Sequence, residues 1–131
     1  MTNHPGERRN MKFTIKLPPI TKKNHSQIIM AGGRPRVIPS KQFRQYEQDC
    51  QFFMPRTLTI DRPVNVKAIY YMPTRRKVDL TNLHAALHDV LVTYKILADD
   101  NSKIIVSTDG SRVRYDKENP RTEVEITEVG D

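Results

Sequence analysis

The chain has 131 residues, 37% hydrophobic and 28% charged, with a formal net charge of +7 and an isoelectric point near 9.7. That size and balance imply one soluble domain able to bury its own core. No apolar run approaches the roughly 18 residues of a membrane span, and the single cysteine, Cys50, excludes an internal disulfide and agrees with a reducing cytoplasm.

Residues 1–10 are polar, have no apolar signal-peptide core, and read as a flexible N-terminal tail. The domain is expected over residues 11–131. "MKFTIKL" alternates Met11, Phe13, Ile15 and Leu17 with polar residues, the pattern of a strand with one buried face. Pro18-Pro19 stops it. "TKKNHSQIIMAGGRPRVIPS" reads as a loop or ribbon turning at Gly32-Gly33. Ser40 is placed to cap a helix, "KQFRQYEQDCQFFM", in which Phe43, Tyr46, Cys50 and Phe53 form an apolar stripe. Pro55 ends it.

The next strand spans Val64 to Met72, with Val64, Val66, Ala68 and Tyr70 inward. After the basic loop "PTRRK", Leu80, Leu83, Leu87, Val90, Leu91 and Tyr94 recur at steps of three and four, which predicts an amphipathic helix opened by Asp79. "KIIVST", Asp109-Gly110 and "SRVRYDK" predict a hairpin. "TEVEITEV" predicts a last strand with Val124 and Ile126 inward and a wet opposite face. The order β–loop–α–β–α–β–β–β predicts an α/β (α+β) fold, a single mixed sheet covered by two main helices.

Charge is unevenly distributed. Residues 1–77 hold 16 Lys/Arg against 4 Asp/Glu, net +12, and residues 78–131 hold 6 against 11, net −5, together +7. A basic half interspersed with strands and turns suits a polyphosphate partner bound on a folded surface. The same charge could serve solubility alone.

The acids around the second helix have two readings. Asp79 can cap the helix through the amides that follow it, or it can ligate a metal where a strand and a basic loop meet a helix start. Asp99-Asp100 can form a turn, or present two hard oxygen donors suited to a divalent cation such as Mg²⁺. A helix running to Tyr94 carries the chain over 20 Å from Asp79, at about 1.5 Å per residue. Either the chain doubles back at once or the second acid comes from a partner subunit. Asp89, about 15 Å along the helix, is too far to share an ion with Asp79 and belongs to the polar face. His84 and His88 have a zinc-compatible spacing, but "HAALH" lacks the Glu of the metalloprotease motif, so packing is the expected role. There is no phosphate-cradling glycine loop and no nucleophile elbow.

"MKFTIKLPPITKKN", "YMPTRRKVDLTNLHAALHDVL", "ADDNSKI" and "TEVEITEV", over about residues 11–128, together resemble the RusA family of Holliday-junction resolvases, mostly encoded by phages and prophages. The most specific part is Met-Pro, a basic run and Asp-Leu-x-Asn-Leu, followed about twenty residues on by Asp-Asp. The resemblance implies a cytoplasmic homodimer that binds four-way DNA junctions and nicks two strands symmetrically with Mg²⁺ or Mn²⁺ held by aspartates, with no membrane partner. It places Asp79 and Asp100 as ligands with Asp99 beside them, and Asn82 and Thr81 in the site. Arg75, Arg76 and Lys77 match the family's basic run. Lys22, Lys23, Arg34 and Arg36 are further candidate DNA contacts. Two positions depart from the family pattern. Thr81 stands where a second catalytic Asp is common, and Ala85 where some members carry a lysine. The expected function is a metal-dependent endonuclease resolving Holliday junctions in recombination and repair. The alternative is a non-catalytic or weakly catalytic structured-DNA-binding protein on the same scaffold.

Overall fold

The computed structural model describes residues 9–22 and 26–130. Its sheet comprises β1 (Asn10–Ile15), β4 (Val64–Met72), β5 (Ile105–Ser107), β6 (Arg112–Tyr115) and β7 (Arg121–Glu128), and a separate ribbon pairs β2 (Ser26–Ala31) with β3 (Arg34–Pro39). The helices are α1 (Lys41–Asp49), continued by one tight 3₁₀ turn at Cys50–Phe52, and α2 (Leu80–Thr93). This mixed sheet with two helices is the expected α+β arrangement. Most of the expected tail, residues 1–8, lies outside the described residues. Arg9 and Asn10 are attached: Asn10 opens β1, and Arg9 Nε lies 3.7 Å from the Glu128 carboxylate. Among the described residues no helix is long and apolar enough to cross a membrane.

β4 is the axis of the sheet. One edge pairs antiparallel with β7, which in turn pairs with β1. Val64, Val66, Ala68 and Tyr70 face the helices, as the alternation predicts, and meet Val124 and Ile126 from β7 and Ile15 from β1. Tyr46 and Cys50 from the α1 segment, and Leu83, Leu87, Val90 and Leu91 from α2, close this core. Such burial contributes about 1.5–3 kcal/mol per large apolar side chain. Burial first, then the charges of Glu47 and Asp49, pushes the Cys50 thiol up to about 12 against the lowering effect of a hydrogen bond with Tyr46, which leaves it unreactive. The opposite face of the sheet stays wet and carries Lys12, Lys67, Glu123 and Glu125.

The expected hairpin after Lys103 is not formed. β5 and β6 both run parallel to β4 along its second edge and do not pair with each other. The intervening turn is a bulge in one edge. Asn65 Oδ1 accepts from Ser107 Oγ at 2.6 Å and from the Asp109 amide at 2.7 Å, and Ser111 Oγ accepts from the Ala68 amide at 3.0 Å. These side chains continue the ladder where the backbone leaves it. Gly110 sits at φ +86°, and an added Cβ would come within 3.1 Å of the Lys67 side chain. The Asp-Gly signal thus marks a left-handed residue, not a strand reversal.

Both ends of the second helix are defined by hydrogen bonds. Asp79 is its N-cap, accepting from the Thr81 amide at 3.0 Å. At the other end Lys95 takes φ 58°, with its amide bonded to the Val92 carbonyl and the Ile96 amide to the Leu91 carbonyl. This is a Schellman closure with Lys in the position glycine favours. It turns Ile96 and Leu97 back into the core, where Leu97 bridges Ile60.

Candidate nucleic-acid interface

The loop from Met72 to Asp79 brings the basic run and the first candidate acid together. It leaves the end of β4, exposes Arg75, Arg76 and Lys77 in succession, and delivers Asp79 to the start of α2. An open groove of about 670 Å³ runs beside it, lined by Thr21, Gln42, Met72, Thr74, Arg76, Lys77 and Asp79 among others. A second groove of about 480 Å³ shares Met72, Thr74 and Arg76 and adds Arg75, Val113, Arg114 and Tyr115. A carboxylate therefore stands at the rim of a surface that is otherwise cationic. Such a surface attracts a phosphate backbone, and the carboxylate supplies the one hard anionic donor among the described residues that line it.

Asp79 and Thr81 act as a pair. The Thr81 hydroxyl donates to Asp79 Oδ1 at 2.6 Å, and the Thr81 amide donates to the same oxygen. Both residues are exposed. Asn82 is half-buried, and its amide donates to the Asp79 carbonyl at 3.1 Å. Ala85, one turn beyond Thr81, is exposed on the same helix side and adds no charge.

Asp99 and Asp100 are not brought to Asp79 within one chain. Both are exposed, and Asp99 Oδ1 accepts from the Asp100 amide at 2.7 Å. Flanking Ala98 donates to the Ile60 carbonyl, and flanking Asn101 accepts from the amide of Ile104, whose carbonyl receives the Val64 amide. The pair thus lies at the Val64 end of β4, while Asp79 lies near the Met72 end. The 14 residues of α2 put about 20 Å between them. The chain does not double back. Among the described residues no three His, Cys, Asp or Glu side chains converge as a metal site.

The sequence match decides the family. A model of the family described as Endodeoxyribonuclease RusA matches residues 16–127. The chain belongs to the RusA family. RusA proteins are endodeoxyribonucleases that resolve Holliday junctions, so branched DNA is the family's partner. The search of curated proteins finds no match. The matched span contains both grooves, both acid positions and the whole of α2.

The other candidate residues of this RusA chain are dispersed. Lys22 Nζ lies 3.3 Å from the Asp89 carboxylate and 5.7 Å from the Phe43 ring centroid, so it is already engaged between the helices. Lys23 lies outside the described residues. Arg34 is exposed at the tip of the β2–β3 ribbon, and Arg36 belongs to β3. Asp89 sits on the polar side, as helix geometry predicts. His84 Nδ1 is 2.7 Å from the Tyr70 hydroxyl, and its ring stacks on His88 at 5.4 Å, a packing arrangement. Arg114 and Tyr115 were missed because "SRVRYDK" was expected to be a hairpin arm. Its alternation of arginine with Val113 and Tyr115 is the signal that could have found them.

Proposed function

We propose that this protein is a metal-dependent endonuclease that resolves Holliday junctions by paired nicking, acting as a homodimer. The carrying observation is the Asp79 carboxylate at the rim of grooves lined by Arg75, Arg76, Lys77 and Arg114. Arginine and lysine side chains there hold the phosphates on either side of the cut and fix the strand's register. Asp79 and the Thr81 hydroxyl are hard oxygens suited to Mg²⁺ or Mn²⁺, though among the described residues one chain alone builds no cage. Mg²⁺ is commonly held by one or two carboxylates with waters and substrate phosphate oxygens. When bound, it polarises the phosphoryl group and activates water. The geometry favours Asp99 and Asp100 reaching this site from the second subunit, since their own α2 holds them about 20 Å away. A two-fold dimer would then present two equivalent sites to a junction of matching symmetry.

The non-catalytic binder has two observations in its favour. Thr81 is neutral and spends its hydroxyl proton on Asp79, and Ala85 leaves the next turn uncharged. A synthetic four-way junction with Mg²⁺ or Mn²⁺ separates the two readings. The wild type is expected to make paired nicks that chelator abolishes. Asp79→Asn, which keeps a good helix cap, is expected to bind the junction without cutting. Mixing Asp79→Asn with Asp100→Asn protein should restore cutting, because a mixed dimer then holds one intact composite site. Wild-type binding without nicks would leave the binder reading.

A further inference from the structure

We infer that Arg75 and Tyr115 form a stacking platform for a nucleobase exposed at the branch point. This rests on the junction-binding reading of the preceding subsection and names the part of the substrate that the second groove takes. β6 pairs in parallel with β4 so that Val113 stands opposite Tyr70 and Tyr115 opposite Met72. Parity along the strands puts Val113 and Tyr115 on the helix-bearing face of the sheet, the face from which Asp79 also projects its helix. Tyr70 is buried there under α2, yet Val113 and Tyr115 are 39% and 40% exposed. α2 does not cover them, and an apolar and aromatic strip is left open beside a cationic loop.

Arg75 closes over this strip. Its guanidinium carbon lies 4.0 Å from the Tyr115 ring centroid, a stacked cation–π contact. Stacking fixes the guanidinium plane while leaving its N–H edge to meet a phosphate. Among the described residues no acid lines this groove. The neighbouring Asp116 is engaged by Arg121 at 2.9 Å, a hydrogen bond that holds its carboxyl below the usual range. The groove therefore combines Arg75 and Arg76 with an aromatic face, the composition that binds unpaired nucleotides by charge and stacking together. Linear duplex keeps its bases stacked inside and can use only the charge. A junction offers bases at the exchange point that can leave the stack. Because this groove shares Met72, Thr74 and Arg76 with the groove at Asp79, a strand held here runs on to the carboxylate.

Junction and duplex affinities of the full chain, measured side by side without divalent metal, test this. Tyr115→Ala is expected to bind the four-way junction roughly 10-fold more weakly, since one base–aromatic stack is lost, with a smaller loss on linear duplex, where only the orientation of Arg75 is given up. Tyr115→Phe, which retains the ring, is expected to restore junction binding. Arg75→Ala should weaken both substrates and reduce the salt slope by about 0.9 for one lost phosphate contact. Equal junction affinity for Tyr115→Ala and wild type overturns the platform. So does equal weakening on junction and duplex, or failure of Tyr115→Phe to rescue. A wild type that does not prefer junctions overturns the functional reading itself, a different result from any of these.

Discussion

The two ends of α2 carry acids of the same type in opposite settings. At the first end Asp79 is both a helix cap and the rim of a basic surface, with three cationic residues, Arg75 to Lys77, just before Val78. At the second end Asp99 and Asp100 follow a Schellman turn at Lys95 and stand exposed beside the 60–64 segment. The first acid is held by the helix it starts, so its position is set by local hydrogen bonds. The second pair is held by the packing of Ile96 and Leu97, so its position is set by the core. The same helix that makes both ends rigid keeps them apart. A rigid spacer suits a site assembled between subunits and does not suit one assembled within a chain.

That contrast can be tested at three levels of effect. The shared stem is the most sensitive. Leu87 is buried at 1% exposure between the ends, and Leu87→Ala is expected to cost about 2–5 kcal/mol in urea unfolding. A smaller cost would mean that α2 is not the rigid spacer claimed. The ends come next, with opposite signs. Asp79→Ala should destabilise by about 1 kcal/mol through the lost cap. Lys95→Gly should stabilise by up to about 1 kcal/mol, because it relieves a left-handed residue at some entropic cost. Equal signs for the two would show that the ends are not held as described.

The last effect depends on pH and lies on the α1 side of the helix. The Glu47 carboxyl is pushed up to about 7 by burial first, then by its hydrogen bond to Asp89 and that residue's charge. The folded protein therefore holds this proton more tightly than an unfolded chain, whose glutamate titrates near 4.5. The stabilisation is full below about pH 4.5 and is lost as pH rises through about 7. Glu47→Gln should flatten that part of the stability–pH curve in thermal melts, and an unchanged slope would remove Glu47 as its source.

Much of this architecture is legible along the chain because the relevant interactions are local. Val64–Lys67 alternates apolar with polar residues and sets the phase, and the strand occupies Val64–Met72 with the inward set expected. Ser40 caps α1 by accepting from the Phe43 amide at 3.1 Å, a bond three residues long. Asp79 is visible as a cap for the same reason. The expected hairpin failed because Asp109-Gly110 specifies a backbone conformation and not a partner; Asn65, more than forty residues away, provides the partner. The end of α2 was similarly obscured, since Lys95 fills a position where glycine would have announced the turn.

By itself the sequence determined the element types, the buried faces, the basic loop leading to Asp79 and the family to which the chain belongs. Those depend on periodicity and on short motifs, which act over a few residues. Only the tertiary structure decided that β5 and β6 share one edge of β4, that Lys22 is committed to Asp89, that Arg114 and Tyr115 join Arg75 and Arg76 in one groove, and that Asp79 and Asp99-Asp100 lie at opposite ends of the sheet. Each of these is a relation between segments distant in sequence. It follows from which strands pair and which helix covers them, a choice made by the burial of the whole core.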